Sequence, residues 1–215
     1  MHNPVSGDYP EVGTASVADA LDELGLDGVV DGPQRIIGSR RFIGPAVTVR
    51  LEPGQPGRDD GRRFWQAVDT AQAGSVLVVA AGGAAISALG GVIVGTAAAR
   101  GLVGAVTDGL IRDADEMAGY DLPVHYRRAH PRAIRPCCPA IGGPVRFGAV
   151  EVAPGDLVVA DGDGVVSVPL ARADEVLDRA CRIEELERRW VGQARAHRSI
   201  AAGFEAVGDE FGPSH

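Results

Sequence analysis

Hydrophobic residues recur along this chain with two different periods. Between Thr14 and Leu24, the residues Ala15, Val17, Ala20, Leu21 and Leu24 fall at helical spacing, and Gly25 follows where a helix would be capped. In GPAVTVRLEP (44–53), apolar and polar positions alternate through Val47, Val49 and Leu51, which predicts a half-buried strand. RRFWQAVDTA (62–71) reads as a short helix, and SVLVVAA (75–81) is an unbroken apolar run of strand length. The Gly-rich stretch GGAAISALGG (82–91) reads as a loop, followed by an Ala-rich helix over roughly 91–100. The apolar run Leu102–Val106 supplies the next strand, and Asp108-Gly109 after it is a turn signal. Strand, loop, helix and strand over about 75–107 form one βαβ unit, hence a local parallel pair.

From PVHYRR (123–128) onward the pattern changes. GPVRFGAVEVAPGDLVVADGDGVVSVP (143–169) consists of short apolar runs broken by Pro-Gly-Asp and Asp-Gly, which predicts antiparallel hairpins. Residues 171–192 form a long amphipathic helix with Ala173, Val176, Leu177, Ala180, Ile183 and Leu186 on one side. The segment 203–215 reads as a fraying tail, and 1–202 as one α/β domain without internal repeat or linker.

Composition narrows the chemistry. All 21 basic residues are arginine, so the chain has no lysine. Schiff-base catalysis and pyridoxal-phosphate enzymes need a lysine amine, and a Walker P-loop needs its lysine. All three are excluded, and carbonyl activation falls to a metal or to hydrogen bonds. A net charge of −8 argues against nucleic acid as partner, while leaving room for a small anionic substrate held by local arginines. Cys137, Cys138 and Cys181 make neither a disulfide framework nor a CxxC pattern, and MHNPVSGDYPEV lacks a basic-then-apolar signal. The expectation is a cytoplasmic protein with no membrane span.

Two stretches carry candidate chemistry. The loop 82–91 precedes a helix start, where free N–H groups and the helix dipole favour an anion; Ser87 would add a hydroxyl. Packing alone would equally account for its glycines. Arg112, Asp113 and Glu116 follow the next strand. Arg112 suits a substrate carboxylate, and Asp113 with Glu116, on one helical face, suit a shared Mg²⁺ or Mn²⁺. The same Asp-x-x-Glu is also a capping box, Asp113 at the cap and Glu116 at the third helical position. Both stretches sit at the carboxyl ends of adjacent parallel strands, the edge where open α/β sheets bind ligands. Other polar residues carry only ordinary readings. His125 and His130 read as packing or surface residues, Trp65 and Trp190 as core or interface anchors. Arg127, Arg128, Arg132 and Arg135 read as a solvated or intersubunit stretch, Asp161 and Asp163 as turn formers.

Three stretches, TASVADALDELG, LGGVIVGTAAARGLVGAVTDGLIRDADE and PGDLVVADGDGVVSVP, resemble the RraA-like family over roughly residues 12–190. That family unites regulators of ribonuclease E with metal-dependent 4-hydroxy-4-methyl-2-oxoglutarate aldolases that also decarboxylate oxaloacetate. The resemblance implies a compact α/β/β fold assembled as homotrimers or hexamers, with active sites in clefts between subunits. It implies that Arg112 contacts a pyruvyl group and Asp113 binds the divalent metal. Backbone amides of Ser87, Ala88, Leu89, Gly90 and Gly91 would hold the substrate carboxylate, and Glu184 or Glu185 would approach from a neighbouring subunit. Aldolase members usually carry an acidic residue twenty-one positions before the arginine, where this chain has Gly91. Gly91 together with Glu116 resembles the branch associated with oxaloacetate decarboxylation and ribonuclease regulation. The implied function is a divalent-metal-dependent lyase releasing pyruvate from a 2-oxo acid; the alternative is a non-catalytic protein that binds a ribonuclease or other partner.

Overall fold

A computed structural model describes residues 9–38, 41–54, 62–132 and 136–208. In chain order the elements are α1 (Thr14–Glu23), β1 (Arg35–Ile37), β2 (Phe42–Pro53), α2 (Arg62–Thr70), β3 (Val76–Ala80), β4 (Ser87–Leu89), α3 (Gly91–Ala99), β5 (Gly104–Ile111), α4 (Ala114–Met117), β6 (Val124–Ala129), β7 (Pro136–Ile141), β8 (Val145–Phe147), β9 (Val150–Val152), β10 (Leu157–Ala160), β11 (Val165–Val168), α5 (Ala173–His197) and α6 (Ile200–Val207).

Among the described residues, nine strands form one sheet in the order β1-β6-β5-β3-β2-β10-β11; β4 adds to β5 and β7 to β2. The β2, β3, β5 and β6 strands run parallel, whereas β1, β7, β10 and β11 pair antiparallel. All five residues of β3 are buried because each face of the sheet is covered. Leu77 and Val79 pack with Phe64, Ala67 and Val68 of α2 and Val94 and Ala97 of α3. Val76 and Val78 pack on the opposite face with Val106, Phe147, Val150 and Val152, beneath the β8–β9 hairpin. A third cluster joins α1 and α5 to β10 and β11 through Val17, Leu21, Val159, Val168, Val176 and Ala180.

The mixed α/β architecture, the parallel β3–α3–β5 unit, the β8–β9 and β10–β11 hairpins and the long helix agree with the sequence reading. The six residues expected on the inner side of the long helix are its six buried residues. Four features differ. Asp108-Gly109 is not a turn: both residues are buried inside β5, which continues to Ile111. Asp108 tolerates burial because its carboxylate accepts the N–H groups of Ala81 (2.6 Å) and Gly83 (2.7 Å). At Gly109 an added Cβ would come within 2.8 Å of the Ala88 Cβ, so glycine lets β4 close onto β5. Second, part of the Gly-rich loop is strand: β4 runs parallel to β5 beyond the end of β3. Third, β6 is parallel to β5, so the parallel portion extends past residue 123. Fourth, residues 203–207 are helical, α6 folding back so that Phe204 meets Trp190 in a tilted ring contact with centroids 4.5 Å apart. The remainder of the expected tail, 209–215, and Arg135 lie outside the described residues.

His125 on β6 is 1% exposed, and neither ring nitrogen has a hydrogen-bond partner. It meets the edge of Phe42, which in turn lies over the bare backbone of Gly104. Burial pushes its pKa down from 6.5 to about 4, against a smaller upward pull from Asp161. The unfolded chain therefore takes up the proton first. Stability is expected to fall as pH drops below about 6.5, by up to roughly 3 kcal/mol once pH is below about 4. Urea unfolding of wild type and His125→Leu between pH 7 and 4 checks this: the variant loses that share of the slope. Equal slopes would show that His125 is protonated alike in both states.

Candidate active site

The candidate side chains gather where β4 hands over to α3 and β5 to α4. The first helical bond of α3 runs from the Val94 N–H to the Gly90 carbonyl. The N–H groups of Gly91, Val92 and Ile93 therefore point out of the helix end. Asp113 Oδ2 accepts the Gly91 N–H at 3.2 Å, so this carboxylate sits at the positive end of α3.

Asp113 reaches that point through an unusual backbone. Its φ is 61° and ψ 35°, left-handed values that are uncommon for a residue with a Cβ. The conformation turns the chain from β5 into α4 and throws the carboxylate back across Gly90 and Gly91. A Cβ at Gly90 would lie 3.1 Å from Asp113 Oδ2 and 3.5 Å from Arg112 Cγ, so the loop backbone abuts both side chains. Arg112 Nε faces Asp113 Oδ2 at 3.5 Å, with the arginine side chain 48% exposed and the aspartate 39%. Such an open pair contributes little to stability.

The capping-box reading of Asp113 and Glu116 is not realised. Asp113 makes no side-chain cap to its own short helix, and Glu116 turns to a different partner. Glu116 Oε1 accepts the Tyr120 hydroxyl at 2.6 Å. That bond holds the phenol proton, raising the Tyr120 pKa above its ordinary value. The Glu116 carboxyl fills the space beside Gly91, where an added Cβ would lie 2.6 Å from its Cδ. Two carboxylates thus meet at one glycine, one on its N–H and one over its Cα.

Ser87 is half-buried in β4, while Ala88 and Leu89 are buried; Leu89 contributes its carbonyl to the Arg112 N–H at 3.1 Å. The loop before β4 is pinned by Asp108 and by Arg127, which donates to the Gly83 carbonyl at 2.8 Å. Sequence reasoning did not single out Asp108 or Tyr120. Asp108 was hidden by its resemblance to a turn. Tyr120 was detectable as the residue one helical turn after Glu116.

Glu184 and Glu185 lie elsewhere in this chain. Glu184 Oε2 accepts the Gly13 N–H (3.0 Å) and the Ser16 hydroxyl (2.9 Å), capping α1 beside Asp161. The Gly13 N–H, more than Ser16, holds its carboxyl below the ordinary value. Asp161 follows β10, which pairs with the start of β2, at the opposite sheet edge from Arg112. Glu185 is paired with Arg188.

A hard dication requires oxygen donors, and Mg²⁺ commonly takes one or two carboxylates with water and substrate completing its shell. Asp113 and Glu116 match that donor set, and the partial exposure of Asp113 admits water. Among the described residues no group of three or more His, Cys, Asp or Glu forms a closed metal cage. Among them, too, no helix is long and apolar enough to cross a membrane.

Comparison with known proteins gives a consistent picture. A family model described as RraA-like, Aldolase/RraA, matches residues 14–167. A relative from Halalkalibacterium halodurans, provisionally named 4-hydroxy-4-methyl-2-oxoglutarate aldolase, is 31% identical over 176 residues, 80% of each chain. The crystal structure of an uncharacterized protein from Pseudomonas syringae pv. tomato superposes with a TM-score of 0.77 at 32% identity, over 90% of this chain and 89% of that one. Streptomyces coelicolor RraAS2, described as an unusual member of the RNase ES inhibitor RraA family, superposes with a TM-score of 0.74 at 31% identity, over 85% and 97%. The chain belongs to the RraA-like family.

Proposed function

We propose that this protein is a divalent-metal-dependent carbon–carbon lyase that releases pyruvate from a 2-oxo acid, with oxaloacetate as the preferred substrate class. The observation that carries the reading is the meeting of Arg112, Asp113 and Glu116 at the N-terminus of α3. The aldolase name of the relative from H. halodurans supports the reaction class.

In this reading Asp113 and Glu116 would hold Mg²⁺ or Mn²⁺, which when bound would supply Lewis-acid polarisation of the 2-oxo group. Arg112 offers a planar, permanently charged fork to the pyruvyl carboxylate and carbonyl oxygen. As the C3–C4 bond breaks, its electron pair moves into the carbonyl, and the guanidinium stabilises the enolate oxygen. With oxaloacetate the departing fragment is CO₂, so no base is needed, and a proton from solvent water then adds to C3 of the enolate to give pyruvate. With 4-hydroxy-4-methyl-2-oxoglutarate a base must take the 4-hydroxyl proton. The sequence lacks the acidic residue at position 91 that aldolase members carry, which favours decarboxylation. Asp113 already takes the Gly91 N–H, so the substrate carboxylate would be held by Arg112 and the other N–H groups at the start of α3, and subunit association would complete the cleft.

The test is a lactate-dehydrogenase-coupled pyruvate assay with oxaloacetate and Mg²⁺ or Mn²⁺, with the spontaneous metal-catalysed decay subtracted. Protein-dependent turnover is expected, lost with EDTA and restored by metal. No turnover across a panel of 2-oxo acids would overturn the lyase reading in favour of a non-catalytic protein that binds a ribonuclease or other partner; RraAS2 is described as an unusual member of the RNase ES inhibitor RraA family.

A further inference from the structure

We propose that Tyr120 is a positioning residue that fixes the Glu116 carboxylate for metal binding, an inference that rests on the lyase reading above. Glu116 is exposed, and a free glutamate there would sample several rotamers. Its position is set by two contacts: the bare Cα of Gly91 and the 2.6 Å hydrogen bond from the Tyr120 hydroxyl. Tyr120 is itself held. The turn after α4, closed by Gly119 N–H to the Glu116 carbonyl and Tyr120 N–H to the Met117 carbonyl, brings it back beside Glu116. Its ring lies against Gly95, where an added Cβ would come within 2.9 Å of Cζ and 3.1 Å of the hydroxyl oxygen.

Gly91 and Gly95 are four residues apart on α3, and Glu116 and Tyr120 are four apart on the facing turn. The two pairs match: the carboxyl over Gly91 and the ring over Gly95. The phenol engages Oε1, and the carboxylate so placed would be available to a cation together with Asp113. Partners of metal ligands commonly alter metal affinity by tenfold or more. The hydroxyl is the part that carries this role; the ring anchors it.

Tyr120→Phe keeps the ring on Gly95 and removes the hydroxyl alone. Mn²⁺ affinity, measured on the intact protein by electron paramagnetic resonance of free Mn²⁺, is expected to fall about tenfold. The kcat for oxaloacetate is expected to fall by a similar factor, with the melting temperature unchanged. In a Glu116→Gln background, Tyr120→Phe should have no further effect on either quantity, which a merely structural role would not produce. If wild type binds Mn²⁺ and Tyr120→Phe binds it equally with equal kcat, the positioning role is overturned while the lyase reading stands. If wild type binds no Mn²⁺ and makes no pyruvate, both fall together.

Discussion

Asp113→Asn is expected to lower kcat/KM for metal-dependent pyruvate release by at least about 10³-fold, roughly 4 kcal/mol of transition-state stabilisation. The substitution is nearly isosteric, and asparagine tolerates the left-handed backbone that residue 113 adopts at φ 61°. The fold is therefore expected to stay intact, with a melting temperature within a few degrees of wild type. What is removed is the negative charge that faces Arg112 and sits on the Gly91 N–H. Asp113→Gly sharpens the test. It relieves a left-handed penalty of about 1 kcal/mol while adding chain entropy of similar size, so stability changes little. Its activity should be as low as that of Asp113→Asn. A residue kept only for its turn would show the reverse, with glycine fully active. Steady-state kinetics with Mn²⁺ and thermal melts of both variants decide between these outcomes. Wild-type turnover in either variant would remove Asp113 from the chemistry.

The parts of this arrangement that were legible in the sequence are those set by periodicity over a long window. The α5 face was readable because Ala173, Val176, Leu177, Ala180, Ile183 and Leu186 repeat over several turns. The β3–α3–β5 unit was readable because continuous apolar runs flank an Ala-rich helix, and its parallel sense follows from the crossover. With the strand sense came the placement of Gly90–Gly91 and Arg112–Asp113 at one sheet edge. What periodicity could not disclose were features set by tertiary contact. Asp108-Gly109 has the local chemistry of a turn, but two N–H groups from residues 81 and 83 make the buried aspartate affordable within a strand. Asp-x-x-Glu has the local chemistry of a capping box, but Asp113 caps α3 rather than α4, across a gap of 22 residues. The short β4 strand lies against β5 where Gly109 leaves space for Ala88. Glu184 lies on the helical face that meets α1, so its carboxylate caps α1 of its own chain.

Gly91→Ala is the second substitution expected to have a large effect, and it separates stability from function. The added methyl would lie 2.6 Å from Glu116 Cδ and Oε2 and 2.7 Å from Oε1. These are the far end of a flexible, exposed side chain, so the clash resolves by rotation of Glu116 rather than by backbone movement. The glycine is not in the left-handed region, and alanine favours the helix, so the melting temperature should hold or rise slightly. The carboxylate, however, is driven from the place beside Asp113. Oxaloacetate turnover and Mn²⁺ affinity are each expected to fall about 10- to 100-fold. Glu116→Ala should produce a loss of the same size, and the double variant no more than either single one, because both remove one carboxylate from one position. A carboxylate supplied from α3 provides the converse. Gly91→Asp combined with Glu116→Ala restores an acidic group at that place from the opposite side, and should recover most of the lost metal affinity. It should also raise cleavage of 4-hydroxy-4-methyl-2-oxoglutarate relative to oxaloacetate, since the acid then stands where aldolase members carry it. If Gly91→Ala retained wild-type turnover, Glu116 would have no role from its observed position, and the site would reduce to Arg112 and Asp113 on the α3 N-terminus.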